Sequence, residues 1–458
     1  MSERSICRRR HGSGHRWPTL PPMNDSAPFS PFSPSIALSL GFATVLLIGI
    51  VVKMWLVSRQ VRHVARHRNA VPATFANSIT LAAHQKAADY TITKARFGLL
   101  ELSLGTAVLM GWTLLGGLNL LNQSLMAWLG GGMLQQIAVL VGFVLISGLI
   151  DIPVELYKTF VIEERFGFNK TTFKLWLGDM LKSSVVGAVI GLPIAALILW
   201  LMGTAGPRWW LWAWSAWMGI NLLLLMVYPT FIAPLFNKFK PLEDETLKTR
   251  VTGLMQRCGF AAKGLFVMDG SKRSAHANAY FTGFGAAKRV VFYDTLLAKL
   301  SPAEVDAVLA HELGHFKHKH IAQRIVTMFA FSLLGFALLG WLSTQVWFYT
   351  GLSVIPNMSG APNDALALLL FMLVIPVVTF FFAPLSAQVS RKHEFQADAY
   401  AVQQTSGQDL SSALLKLYED NASTLTPDPV FVKFYYSHPP AAERLARMAH
   451  GAAQGVMA

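Results

Sequence analysis

The strongest constraint on this chain is a set of long apolar runs, near 35–57, 98–121, 134–157, 182–203, 209–235, 323–349 and 364–388. Crossing a bilayer takes about 20 residues of helix, and each run is long enough. A backbone in hydrocarbon must satisfy its own polar groups, so runs of this kind fold as helices. Composition agrees, with 53% hydrophobic and 14% charged residues, where soluble domains carry about 25% charged. The expected fold is mainly α: a polytopic membrane protein with seven transmembrane helices and an α+β portion outside them.

The formal net charge of +14 invites a nucleic-acid reading, but the position of the charges argues against it. The segment 58–97 carries Arg59, Arg62, Arg66, Arg68, Lys86, Lys94 and Arg96, whereas 122–133 and 350–363 carry no Lys or Arg. The segment after the third run has Arg165, Lys170 and Lys174, the turn after the fourth only Arg208, and 236–322 is basic again. This alternation puts the first, third and fifth connections and the C-terminal segment in the cytoplasm, and lipid anions account for the charge. No nucleic-acid partner is expected. Arg8, Arg9 and Arg10 in the Pro/Ser-rich tail 1–34 run against the rule; distance from the membrane, or a start at Met23, relieves the conflict. The tail reads as disordered. Cys7 and Cys258 stand in no paired spacing, so no disulfide framework is implied.

The organisation expected is a tail over 1–34, five spans over 35–235, a segment over 236–322 outside the spans, two spans over 323–388 and a segment over 389–458 that completes the same folded unit. Short strands are expected near 264–268, 275–282 and 288–293, and a helix from 302. Trp209, Trp210, Trp212, Trp214 and Trp217 read as an aromatic belt at the outer interface. Asp151 and Glu155 flank Pro153 at the inner end of the third span, facing either an interior cavity or the interface.

Ser301-Pro302-Ala303-Glu304 is a helix start, with a serine cap, a first-turn proline and a capping-box glutamate. The helix it opens carries His311-Glu312-Leu313-Gly314-His315. Histidines four apart share a helical face and can reach one zinc ion, while Glu312 lies beside the metal as a base for water. His318 and His320 follow and read as solvated or interfacial. A catalytic zinc takes three protein ligands and an open position. The third is sought in Lys392-His393-Glu394-Phe395-Gln396-Ala397-Asp398, where Glu394 and Asp398 share a face and His393 points about 100° away. Glu394 is favoured over His393, with Asp398 accepting the second ring N–H of a ligand histidine.

With Arg273-Ser-Ala-His-Ala-Asn278-Ala-Tyr-Phe-Thr-Gly283 and Ser437-His438-Pro439-Pro440 followed by Arg444, these motifs resemble the type I CAAX prenyl proteases, the seven-span membrane zinc metalloendopeptidases, from about 35 to 450. The resemblance implies one zinc per chain on His311, His315 and Glu394, with Asp398 behind them. It implies spans arranged around an intramembrane chamber and a cytoplasmic zinc protease domain at one end. It also implies catalytic roles for Glu312, His438 and Arg444, with His438 stabilising the oxyanion and Arg444 orienting it. Asn278 and Ala279 fall on the strand that holds the peptide. The implied reaction removes the last three residues of a prenylated CAAX protein, in the bacterial inner membrane or, for a eukaryotic source, the endoplasmic reticulum. Two readings stand beside it: a quality-control zinc protease with no lipid requirement, and a transporter or lipid-binding protein with a structural zinc.

Overall fold

In a computed structural model, residues 33–260, 264–282, 289–358 and 360–455 are described. Residues 1–32, with the basic tail, Cys7 and Met23, lie outside them, as do Gly283 and Lys288. The chain runs α1 (Pro34–His67), α2 (Leu81–Trp112), α3 (Gly117–Leu129), α4 (Met133–Tyr157), α5 (Phe173–Thr204) and α6 (Trp209–Val227). Then come β1 (Phe239–Pro241), α7 (Glu245–Arg257), β2 (Gly264–Met268), β3 (Ala279–Thr282), β4 (Arg289–Tyr293), α8 (Asp294–Leu297) and α9 (Pro302–Lys317). The rest is helical: α10 (His320–Leu342), α11 (Val346–Thr350), α12 (Asp364–Thr379), α13 (Ala383–Gln404), α14 (Gly407–Asp420), α15 (Pro429–Tyr435) and α16 (Ala441–Gly455).

Among the described residues, six helical stretches are long and apolar enough to cross a membrane, and α2 with α3 makes a seventh if the bent pair is one span. The second expected span, 98–121, is not continuous, because the chain bends there by 47°. Gly116 takes a left-handed conformation (φ 77°), and a Cβ on Gly117 would stand 2.5 Å from the Gly111 carbonyl oxygen. Two successive glycines make that return possible. The sixth span also ends early, at Leu342.

Helices extend well past the apolar runs. The charged end of α1 reaches the C-terminal segment, where Arg59 Nη2 lies 2.9 Å from Asp428 Oδ2 and Gln60 Oε1 accepts from the Asp428 N–H at 2.7 Å. Arg68 is paired with Asp89, and Arg273 with Asp179. Part of the basic charge beside the spans is therefore used in ion pairs that lock the connections together.

Buried residues gather at the two ends of the spans. At one end, Phe75, Ile79, the sheet, α7, α9 and residues of α13, α14 and α16 share a core, with Val251, Leu254, Phe292 and Leu313 fully enclosed. At the other, Trp112, Leu118, Leu199, Leu339, Leu352 and Leu370 share a second core. Between them, α4 beyond Val139, α5 before Ile198 and α10 from Ile321 to Leu338 bury no residue. These stretches turn most of their surface away from the protein, as lipid-facing spans do, although α10 still meets α6 there through the Trp214 bond to Ser332. Asp151 and Glu155 are exposed in the α4 stretch.

The tryptophan cluster is only partly a belt. Trp212 is exposed, but Trp209 is buried, Trp210 packs on Gly340, and the Trp214 indole N–H donates to Ser332 Oγ at 3.1 Å. Three of the five pack or bond within the helix bundle.

The sheet has strand order β1-β2-β4-β3. Strands β2 and β4 are parallel, and β1 and β3 are antiparallel to their neighbours. Its inner face packs against α9, with the Phe281 and Phe316 rings 5.2 Å apart. This leaves β3 on the edge beside the helix that carries the histidines.

Candidate metal centre

Helix α9 starts as its sequence dictates. Ser301 Oγ accepts from the Glu304 N–H and Glu304 Oε2 accepts from the Ser301 N–H, so both halves of the capping box form. Buried Glu304 also accepts from Ser412 Oγ and Lys416 Nζ. Burial works to raise this carboxyl, and the Lys416, Ser412 and Ser301 bonds overcome it, holding it at about 2.

The partner helix α13 crosses α9 at very short range. A Cβ on Gly314 would lie 2.9 Å from Ala397 Cα and 3.1 Å from its carbonyl oxygen. The central glycine of the histidine motif is thus the contact that lets Glu394 and Asp398, on the turns of α13 flanking Ala397, face His311 and His315.

His311 Nε2 and His315 Nε2 stand 3.3 Å apart. Glu394 Oε2 lies 3.5 Å from His311 Nε2, and Oε1 lies 3.4 Å from His315 Nε2. The three residues offer ligand atoms within 4.8 Å of one another. His393 points elsewhere and stacks on His320, with ring centroids 4.0 Å apart.

Behind His311 the network is charged. Its Nδ1 is 2.9 Å from Asp398 Oδ1, and Arg444 donates to both Asp398 oxygens, at 2.8 and 2.6 Å. Asp398 only accepts in its ionised form, so His311 Nδ1 is the donor and Nε2 faces Glu394. Burial lowers the His311 basicity, but the bonds to Asp398 and Glu394 prevail and raise it to about 9.

This donor set fits a metal ion. Two imidazole nitrogens and a carboxylate are the ligands that zinc takes in catalytic sites. Among the described residues the buried Glu394 Oε2 has only the long 3.5 Å contact to His311 Nε2, and a buried carboxylate oxygen held that loosely suits a cation.

The other expected site residues fall in three places. Glu312 follows His311 and is half-buried. His438 is exposed, with Nε2 3.4 Å from Glu394 Oε1. Its Nδ1 lies 3.0 Å from Ser437 Oγ, so Ser437, and not Arg444, is its hydrogen-bond partner. Arg444 is buried on Asp398 instead, a correction to the expectation that it orients His438. Asn278 and Ala279 lie at the start of edge strand β3. The Tyr293 N–H donates to the Asn278 carbonyl, so by antiparallel alternation the main-chain groups of Ala279 and Phe281 point away from β4.

Two features escaped the sequence reading. His320 is buried, not solvated, and its Nδ1 lies 3.0 Å from His315 Nδ1. Lys319 causes this by adopting a left-handed conformation (φ 56°) between α9 and α10, which folds His320 back over the motif. Lysine carries no signal for that conformation. Asn169 forms a β-bridge with Ser274, joining the third connection to the protease segment.

Fold and site together define a membrane metalloprotease: a helix-borne His/His/Glu cluster, with a glutamate beside it, at one end of a set of membrane spans. The comparisons identify the family. Residues 60–238 match the CAAX prenyl protease N-terminal model with its five membrane helices, and residues 241–452 match peptidase family M48. The chain is 40% identical over 316 residues to a CAAX prenyl protease 1 homolog of Arabidopsis thaliana, covering 68% of this chain and 73% of that one. It is 32% identical over 462 residues to the Homo sapiens homolog, covering 88% and 94%. The crystal structure of S. mikatae Ste24p is similar at a TM-score of 0.85 and 31% identity, covering 90% of this chain and 99% of that one. The chain belongs to peptidase family M48 and, within it, to the CAAX prenyl protease 1 group.

Proposed function

We propose that the chain is a zinc metalloendopeptidase that cleaves near the C-terminus of prenylated CAAX proteins, with its active site toward the cytoplasm. The observation that carries the proposal is the His311, His315 and Glu394 cluster, in the same packed domain as edge strand β3. His311, His315 and Glu394 would hold one zinc ion per chain, which when bound polarises a carbonyl and makes water more acidic.

Glu312 takes the proton from the attacking water and passes it to the leaving amine. His438 is exposed next to the cluster and donates toward the oxyanion as it develops. Arg444 acts through Asp398, fixing the His311 ring, and is a positioning residue. The outward-facing groups of Ala279 and Phe281 pair with an extended peptide, which displaces the Asn278 Oδ1 now accepting from the Ala279 N–H at 2.8 Å. The chamber that the resemblance implies between the spans accepts the lipid. The basic connections favour a cytoplasmic orientation of this end.

The test is hydrolysis of a farnesylated CAAX peptide beside the same peptide without lipid, each with a chelator control. Preferential, chelator-sensitive removal of the terminal tripeptide from the lipidated peptide is expected. Equal cleavage of both removes the lipid requirement and favours a quality-control role.

A further inference from the structure

The second ligand histidine has a partner of its own. His315 Nδ1 and His320 Nδ1 are 3.0 Å apart, and His320 Nε2 lies 2.9 Å from Gln396 Oε1. His320 is buried at 5% exposure and its ring stacks on His393 at 9°. The donors and acceptors can be ordered along this line. The Gln396 amide oxygen only accepts, so His320 Nε2 carries the proton. The neutral His320 ring then presents a lone pair at Nδ1, and His315 Nδ1 must donate to it. That leaves the His315 Nε2 lone pair facing Glu394 and His311 Nε2.

We infer that His320, set by Gln396, is a positioning residue that holds His315 in its metal-binding tautomer and orientation. Lys319 makes this possible by turning the chain between α9 and α10. Gln396 lies on α13, two residues from Glu394, so one helix supplies both a ligand and the anchor for the opposing histidine. The inference rests on the zinc reading above.

The test uses the full-length protein in detergent and measures metal affinity by chelator competition, with the visible spectrum of the cobalt-loaded protein. His320→Phe keeps a ring to stack on His393 but has no acceptor. It should weaken metal binding about 10–100-fold and shift the cobalt spectrum. His320→Asn retains an acceptor near the Nδ1 position and should bind far more tightly than the Phe variant, although it loses the stack. Wild-type affinity in His320→Phe, or weaker binding by Asn than by Phe, overturns the inference and leaves only a packing role. If His320→Phe fails to fold, Gln396→Leu and Gln396→Glu decide. Loss with Leu and recovery with Glu are expected, and wild-type binding by Gln396→Leu overturns the inference. A wild-type chain that binds no metal overturns the zinc reading with it, whereas wild-type binding by both His320→Phe and Gln396→Leu overturns this inference alone.

Discussion

The two ligand histidines sit one turn apart on α9 and are held in opposite ways. His311 leans on a buried ion pair, Asp398 with Arg444, which joins α9 to α13 and α16. His315 leans on a neutral chain, His320 with Gln396. Removing one partner of a buried ion pair strands a charge and costs far more than the pair itself contributes. A neutral chain costs little to bury and supplies mainly direction. On the zinc reading proposed above, the His311 side would couple metal binding to stability of the folded domain, and the His315 side would act mainly on the metal.

That difference is open to direct challenge. Glu312 belongs to neither side, so Glu312→Gln should lower the hydrolysis rate about 10²–10⁴-fold while metal affinity and melting temperature stay at wild type. A fall in either would place Glu312 in the supporting structure. Asp398→Ala strands Arg444 and should cost about 3–5 kcal/mol of stability, read by denaturant or thermal unfolding, together with weaker metal binding. His320→Phe should weaken metal binding with a smaller loss of stability, about 1–3 kcal/mol for the stranded His315 donor. Equal melting temperatures for these two variants would erase the contrast between the two sides.

Gly314→Ala tests what both sides share. The added methyl meets the α13 backbone at 2.9 Å, and separating two packed elements costs about 1–3 kcal/mol. Metal affinity and stability should fall together; a neutral result would mean that the helix spacing is not set there. The smallest effect concerns Glu304, a buried carboxylate outside the metal cluster. Its carboxyl is held at about 2 in the fold, below the usual 4.5. A depressed carboxyl stabilises the fold above its unfolded value and loses that contribution as pH falls through about 4.5 toward 2. Glu304→Gln should flatten the melting temperature over that acid range without changing metal affinity at neutral pH.

Local patterns carried much of this into the sequence. The capping box at Ser301 and Glu304 and the i, i+4 spacing of His311 and His315 need only neighbouring residues. The choice of Glu394 over His393 followed from helical angle, since the two side chains diverge by about 100°. Arg444 was assigned to the wrong partner, because its bond to Asp398 spans 46 residues and no local pattern fixes which acceptor it meets. His320 was read as solvated or interfacial because further ligands would have had to share one face of the helix; the left-handed turn at Lys319 instead folds it back over the motif. Gly116 and Gly117 did mark the bend in the second span, but hydropathy averaged across it.

The central claim is that one metal sits at a seam between α9 and α13, brought together across the sixth and seventh spans. The most direct test is metal content and peptide hydrolysis of the purified wild-type, Glu312→Gln and Glu394→Ala proteins. Wild type and Glu312→Gln should each hold about one zinc per chain, with only the wild type active, and Glu394→Ala should lose both metal and activity. A Glu394→Ala protein that keeps its zinc and hydrolyses peptide at the wild-type rate would contradict the account.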